Sequence, residues 1–166
     1  MHRRVVSVLL MVLLFCLTAG SALAVQVGKT APDFELKTVK GQSFRLSQLK
    51  GQLILLKLST TWCPTCRQQT QEILAAGNYL RDHGVTVVEV FLQDTKAMVR
   101  DYLKGKNYPM PHYQMIDDGP VRQAYDVYLI PRVLFIDKQF KVRRDGSLMT
   151  ASALKAEVAK ILAQKK

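Results

Sequence analysis

The sequence has 166 residues, 48% hydrophobic and 22% charged, with 24 Lys+Arg against 13 Asp+Glu and a formal charge of +11. Its balance of apolar and charged residues excludes a disordered polyelectrolyte, and its length excludes two sizeable domains. Three cysteines exclude a disulfide-stapled framework, and no internal repeat, long Gly/Ser/Pro linker or low-complexity tract divides the chain.

Residues 1–24 have the three-part layout of a secretory signal: basic His2-Arg3-Arg4, an apolar run from Val5 to about Leu17, and small residues ending in Ala22-Leu23-Ala24. Cleavage after Ala24 is expected, which places the mature chain in the periplasm or elsewhere outside the cytoplasm; an uncleaved segment would instead anchor it to the membrane. Cys16 follows the bulky Phe15 and is read as part of the discarded leader rather than a lipid-attachment site. Residues 25–166 then form one domain. Its basic residues are spread over several predicted elements and form no aromatic-interleaved stripe, which argues against a nucleic-acid partner and leaves weak attraction to an anionic membrane surface.

In chain order, Gly28 to Leu36 reads as a lead-in followed by a short strand, and Lys40-Gly41-Gln42 as a turn before Phe44-Arg45-Leu46, together an N-terminal β-hairpin. Leu53 to Leu58 is apolar except for Lys57, the pattern of a strand buried on both faces of a parallel sheet. From Pro64 to about Arg81 the pattern predicts one helix, with Ile73, Leu74 and Leu80 on a shared face and His83-Gly84 as the stop. Val85 to Leu92 is a second buried strand, interrupted by Thr86 and Glu89. Thr95 to Lys104 is a second helix carrying Met98, Tyr102 and Leu103. His112 to Ile116 reads as a short strand and Gly119 to Tyr125 as a short helix. Val133 to Ile136 and Phe140 to Arg143 form a hairpin around Asp137-Lys138-Gln139, and Ala151 to Ala163 closes the chain as an amphipathic helix through Leu154, Val158 and Leu162. Tyr125, Tyr128, Phe135 and Phe140 are assigned to the core. Parallel crossovers followed by a hairpin imply an α/β fold, a mixed sheet with helices on both faces.

Trp62-Cys63-Pro64-Thr65-Cys66 lies where a buried strand passes into a helix. A three-residue step along a helical turn brings two side chains to roughly 5–6 Å, within disulfide reach. The helix N-terminus carries unpaired N–H groups and roughly half a positive charge, which favours thiolate at Cys63 and makes it the nucleophile. Cys66, one turn inside, is placed to resolve the mixed disulfide that Cys63 forms. Pro64 suits the first helical position, where its missing N–H costs nothing. Structural zinc is the rival reading, but there is no second CxxC, and His83 and His112 are single and far apart in sequence. No cofactor is expected beyond the redox-active pair Cys63–Cys66, and no metal.

The WCPTC segment, the Ala31-Pro32-Asp33-Phe34 lead-in, the strand before the motif, Ala124-Tyr125-Asp126-Val127 and Ile130-Pro131 together resemble the thioredoxin superfamily, and within it the redoxin-like TlpA/ResA envelope disulfide reductases. The resemblance covers nearly all of residues 25–166. It implies a thioredoxin-like fold, a cis Pro131 beside the dithiol, and backbone hydrogen bonds from Ile130 to substrate. The partners it implies are cysteine-containing envelope proteins, among them apocytochrome c during cytochrome c maturation, with a membrane thiol reductase as electron donor.

Departures from that pattern are informative. Relatives carry proline just before the second cysteine, whereas here Thr65 stands there and Pro64 follows the first, an arrangement expected to be less reducing than thioredoxin's roughly −270 mV. Where thioredoxins place a buried acid six residues before the first cysteine, this chain has Lys57; where ResA-like reductases have a glutamate, it has Gln69. Glu89 aligns with the lysine that partners the thioredoxin acid, so Lys57 and Glu89 are read as the same pair with charges exchanged, against the alternative that Lys57 reaches out to water. Trp62 either contacts partners beside the dithiol or simply covers it. Two other functions stay open: a thiol peroxidase, because Thr60 lies three residues before Cys63, although Leu56 stands where that motif needs proline; and Cu(I) handling through two soft thiolates, which requires His112 as a third ligand.

Overall fold

The computed structural model describes residues 25–164; residues 1–24, on which the export-signal expectation falls, lie outside the described residues. Among the described residues the strands are β1 (Glu35–Lys37), β2 (Ser43–Arg45), β3 (Leu53–Ser59), β4 (Val85–Leu92), β5 (His112–Asp117), β6 (Arg132–Ile136) and β7 (Val142–Gly146). The helices are α1 (Pro64–Ala75), α2 (Gly77–Asp82), α3 (Lys96–Leu103), α4 (Pro120–Ala124) and α5 (Ala151–Ala163), with a 3-10 turn at Leu46–Leu49.

Five strands form one sheet in the order β5-β4-β3-β6-β7, while β1 and β2 form a separate antiparallel hairpin. Strands β3, β4 and β5 run parallel; β6 pairs antiparallel with β3, and β7 antiparallel with β6. This is the mixed sheet expected of parallel crossovers followed by a hairpin, and the fold is thioredoxin-like. Every residue of β3 and β4 is buried, which explains their nearly unbroken apolar sequence.

The sheet divides the core in two. On one face Leu53, Leu55, Val85, Val87 and Phe135 pack against Ile73 of α1, Leu80 of α2, and Leu154, Val158 and Ile161 of α5. On the other, Ile54, Leu56, Val88, Val90 and Leu134 meet Phe34, Phe44, Leu46, Val121 and Tyr125, so the hairpin and α4 cover that side. Tyr125 donates its hydroxyl to the Pro32 carbonyl at 2.7 Å, tying the lead-in segment to the domain. Helix α3 covers Phe91 through Val99, flanked by Tyr102 and Leu103.

Four local expectations are corrected. The single helix over Pro64–Arg81 is two, broken at Ala76 (φ −85°, ψ −5°), and Gly77 just past the break lies so close to the 109–110 loop that a Cβ there would meet Pro109 Cγ at 2.5 Å. In α3 the buried position is Val99, and Met98 faces outward. Strand β7 spans Val142–Gly146 rather than starting at Phe140, which adopts a left-handed φ of 63° in the turn. Tyr128 is not core at all but 83% exposed, since it sits with the equally exposed Leu129 on the loop leading to Pro131.

Gly77→Ala is therefore expected to destabilise the domain by about 1–3 kcal/mol through overpacking against Pro109. Urea unfolding should show a lower midpoint at unchanged slope; an unchanged midpoint would mean that the loop yields freely.

Candidate functional site

Strand β3 ends at Ser59 and, after four intervening residues, α1 begins at Pro64. Cys63 is the N-cap of that helix: its backbone is extended (φ −75°, ψ 121°) and its sulfur accepts the Cys66 N–H at 3.3 Å. Pro64 occupies the first turn, where no donor is lost. The intervening loop is held from both sides. Asp94, just past β4, accepts the Thr61 N–H and the Thr61 hydroxyl, each at 2.8 Å, and Arg67 Nε donates to the Thr61 carbonyl at 2.7 Å.

Both cysteines are free thiols. Cys63 keeps 7% of its surface exposed and Cys66 none. Burial pushes the Cys63 thiol up, but hydrogen bonds from Cys66 and from Thr65, whose Oγ1 is 3.2 Å away, outweigh it and leave Cys63 below the ordinary cysteine range. Burial together with the neighbouring Cys63 sulfur pushes Cys66 up to about 12, against lowering contributions from the Thr60 backbone and, smaller, from Lys57. One sulfur is thus reactive and reachable, while the other is protonated and shielded.

Behind Cys66 lies a buried polar network. Lys57, 1% exposed, donates to Thr70 Oγ1 and to Glu89 Oε1, both at 2.5 Å, so its side chain does not reach water. The parallel register of β3 and β4 sets Lys57 directly opposite Glu89. Thr70, one turn beyond Cys66, donates to the Cys66 carbonyl at 3.3 Å and accepts from the Tyr102 hydroxyl at 2.6 Å. The other Glu89 oxygen faces Tyr108 OH at 3.4 Å and His112 Nε2 at 3.3 Å, the latter not aligned as a hydrogen bond. Burial alone would raise the Glu89 carboxyl, but Lys57 and then His112 hold it well below the usual carboxylate range.

On the opposite side of the motif the Ile130–Pro131 peptide bond is cis. Pro131 is buried one step beyond the Leu58–Arg132 pair of β3 and β6, at the same end of the sheet as the cysteines. Trp62 is 60% exposed and does not seal the dithiol. Gln69 is turned away: its amide brackets the Met149 main chain at 2.6 and 3.2 Å. His112 stacks on Tyr108 and faces Glu89 rather than the thiols, and among the described residues no three His, Cys, Asp or Glu side chains cluster as a metal site requires. Thr60 Oγ1 is buried with no hydrogen-bond partner among the described residues.

Sequence reasoning misses the roles of Thr70, Asp94, Tyr102 and Tyr108, and considers His112 only as a zinc or copper ligand. Thr70 alone carried a local signal, a polar residue four positions after Cys66 on the buried face of the helix.

Residues 27–145 match the AhpC/TSA family. The chain is 30% identical over 142 residues to the thiol-disulfide oxidoreductase ResA of Geobacillus kaustophilus, covering 84% of this chain and 78% of that one. It is also 30% identical over 122 residues to ResA of Bacillus subtilis, covering 72% and 66%. Among solved structures it is similar to a protein from Chlorobium tepidum assigned as the thiol:disulfide interchange protein DsbE, with a TM-score of 0.71, 26% identity, and coverage of 84% and 98%.

Glu89→Gln would leave the Lys57 ammonium buried and unpaired, and is expected to cost about 3–5 kcal/mol in chemical denaturation. Replacing both partners by Lys57→Met/Glu89→Leu should recover most of that loss. Because the Glu89 carboxyl is depressed, its contribution to stability is complete above an unfolded-chain value of about 4.3 and is lost as the pH falls through the folded value. A Glu89→Gln domain as stable as the parent would refute the pairing.

Proposed function

We propose that this chain, which belongs to the AhpC/TSA family and its ResA-like thiol-disulfide oxidoreductases, exchanges disulfides with cysteine-containing proteins of the cell envelope through Cys63 and Cys66. The observation that carries the reading is the position of Cys63 at the cap of α1, its sulfur taking the Cys66 N–H while its neighbour stays protonated.

In the reducing direction the Cys63 thiolate attacks one sulfur of a partner disulfide, forming a mixed disulfide and releasing the partner's first thiolate. Cys66 then gives up its proton and attacks Cys63 Sγ, closing the Cys63–Cys66 bond and releasing the second thiolate, which takes up a proton. The partner gains two electrons and this chain loses two, which a membrane thiol reductase returns. Pro131 and Ile130 line the approach of the partner chain on one side and Trp62 on the other. Export is supported by the layout of residues 1–24, and apocytochrome c is the substrate that the ResA resemblance favours.

Lys57 acts on Cys66 rather than on the partner. Its charge favours the Cys66 thiolate, and Thr70 ties the ammonium to the turn that carries that sulfur. Glu89 keeps the ammonium in place within the core. Stabilising the Cys63 thiolate stabilises the reduced protein, and that makes the pair less reducing.

Three outcomes follow. Cys66→Ser should accumulate envelope proteins on Cys63 as mixed disulfides that dithiothreitol releases, and a variant that captures nothing would overturn the reading. Equilibration with glutathione should return a potential less negative than about −270 mV. In Lys57→Met/Glu89→Leu, Cys66 should titrate still higher than in the parent and release of the second product should slow, with first-step capture by Cys63 unchanged; identical titrations and rates would remove Lys57 from the mechanism.

A further inference from the structure

Two grooves flank the dithiol, and they differ in charge. Because β3 lies between β4 and β6, the tip of β3 is bordered on one side by Pro131 entering β6 and on the other by the β4–α3 connection. The groove on the Pro131 side contains Tyr128, Leu129, Asp126, Arg132 and Asp145, and its cation is already neutralised: Arg132 grips Asp145 at 2.5 and 2.8 Å. Asp126 is offset by Arg122, with which it lines the adjoining depression, so this side carries no surplus of either charge.

The groove on the Trp62 side, about 580 Å³, runs between α1 and α3 and is lined by Arg67, Lys104 and Lys106 against one carboxylate, Asp101. It shares Asp101 and Lys104 with a second depression of about 940 Å³ that adds Lys40, Lys96 and Arg100. Among the described residues none of Arg67, Lys96, Arg100, Lys104 or Lys106 lies within salt-bridge distance of a carboxylate, in contrast to Arg45, Arg81 and Arg132. Lys106 rests over the Tyr102 ring, which positions its ammonium at the groove without neutralising it. Residues that the sequence distributes over two helices and a loop therefore form one unpaired basic edge that starts beside the reactive cysteine.

Building on the exchange reading, the geometry points to an acidic polypeptide segment as the occupant of this edge: the preferred partner carries Asp or Glu on one side of its reactive cysteine, and the opposite side lies over the Tyr128–Leu129 groove. Such an arrangement selects partner and orientation together, because a segment bound in reverse would set its acids over a groove with no surplus positive charge. Opposed charge at a cleft raises encounter rates and is sensitive to salt.

The test compares peptide disulfides that differ only in flanking residues: neutral on both sides, Glu on the N-terminal side, or Glu on the C-terminal side. At low ionic strength one of the two Glu peptides is expected to be reduced with a kcat/KM about tenfold above the neutral peptide, and the gain should fade in high salt. Arg100→Glu/Lys104→Glu should abolish the gain while leaving the neutral peptide's rate intact. Lys138→Glu/Lys141→Glu makes the same change of net charge on the β6–β7 turn, at the far end of the sheet, and should preserve it. Equal gains for both Glu peptides, no gain for either, or equal losses in the two double variants would overturn the acidic-segment assignment while leaving exchange chemistry in place. Failure to reduce even the neutral peptide would instead overturn the exchange reading itself.

Discussion

The chemistry of this domain depends on holding one sulfur at the cap of a helix, close enough to an unpaired N–H to accept it and open enough to be reached. The tolerance is narrow, because a hydrogen bond to sulfur at 3.3 Å weakens steeply with displacement or misalignment. The chain has only four residues in which to leave β3 and enter α1. Slack there is removed by two contacts from different parts of the fold: Asp94 clasps Thr61 from the end of β4, and Arg67 clasps the same residue from within α1. Burial of β3 between β4 and β6 fixes the other end of the loop. The sheet order thus brings Asp94 and Pro131 to opposite sides of one strand tip.

The Lys57–Glu89 pair cannot be understood as a stabilising device. Desolvating two charges costs several kcal/mol per ion, and an apolar pair of similar volume would serve the core as well or better. In the proposed mechanism the pair supplies a buried positive charge that favours ionisation of a thiol that burial has driven up to about 12. Glu89 is held in turn by His112 and Tyr108, so the ammonium has a single arrangement. Thr70 is the junction: it accepts from Lys57 and from Tyr102, and donates to the turn carrying Cys66. A helix packed on a sheet normally presents apolar residues at this depth, and polar Thr70 and Gln69 side by side on α1 mark the departure.

Sequence pattern revealed the elements whose causes are local. Unbroken apolar runs identified β3 and β4, and the cysteine spacing at a strand-to-helix junction identified the reactive pair. Lys57 and Glu89 stood out because each is a charge in the middle of an apolar strand, and consecutive parallel strands place such residues opposite one another. What stayed hidden depends on distant partners. The break at Ala76 sits beside the close approach of Pro109 to Gly77, more than thirty positions along the chain, and nothing in the periodicity of 64–81 records either. In the eight residues of α3 two apolar faces fit equally well, so Met98 was indistinguishable from Val99 until Phe91 chose between them. Tyr128 was assigned to the core because aromatic residues usually are, but the residues just before Pro131 form an exposed loop.

The difference in depth between the two sulfurs accounts for the order of the proposed reaction. If both were ionised and exposed, either could attack first, and the pair would resolve no particular intermediate. Cys63, at the cap, meets the partner; Cys66, without exposure and with its proton held, stays silent until a disulfide bond to Cys63 removes the negative charge beside it. That bond formation also lifts one of the causes that raise Cys66, because the neighbouring Cys63 thiolate no longer opposes its ionisation. The positive charge of Lys57 then acts on a thiol with no competing anion next to it. In the proposed sequence, capture therefore prepares its own resolution.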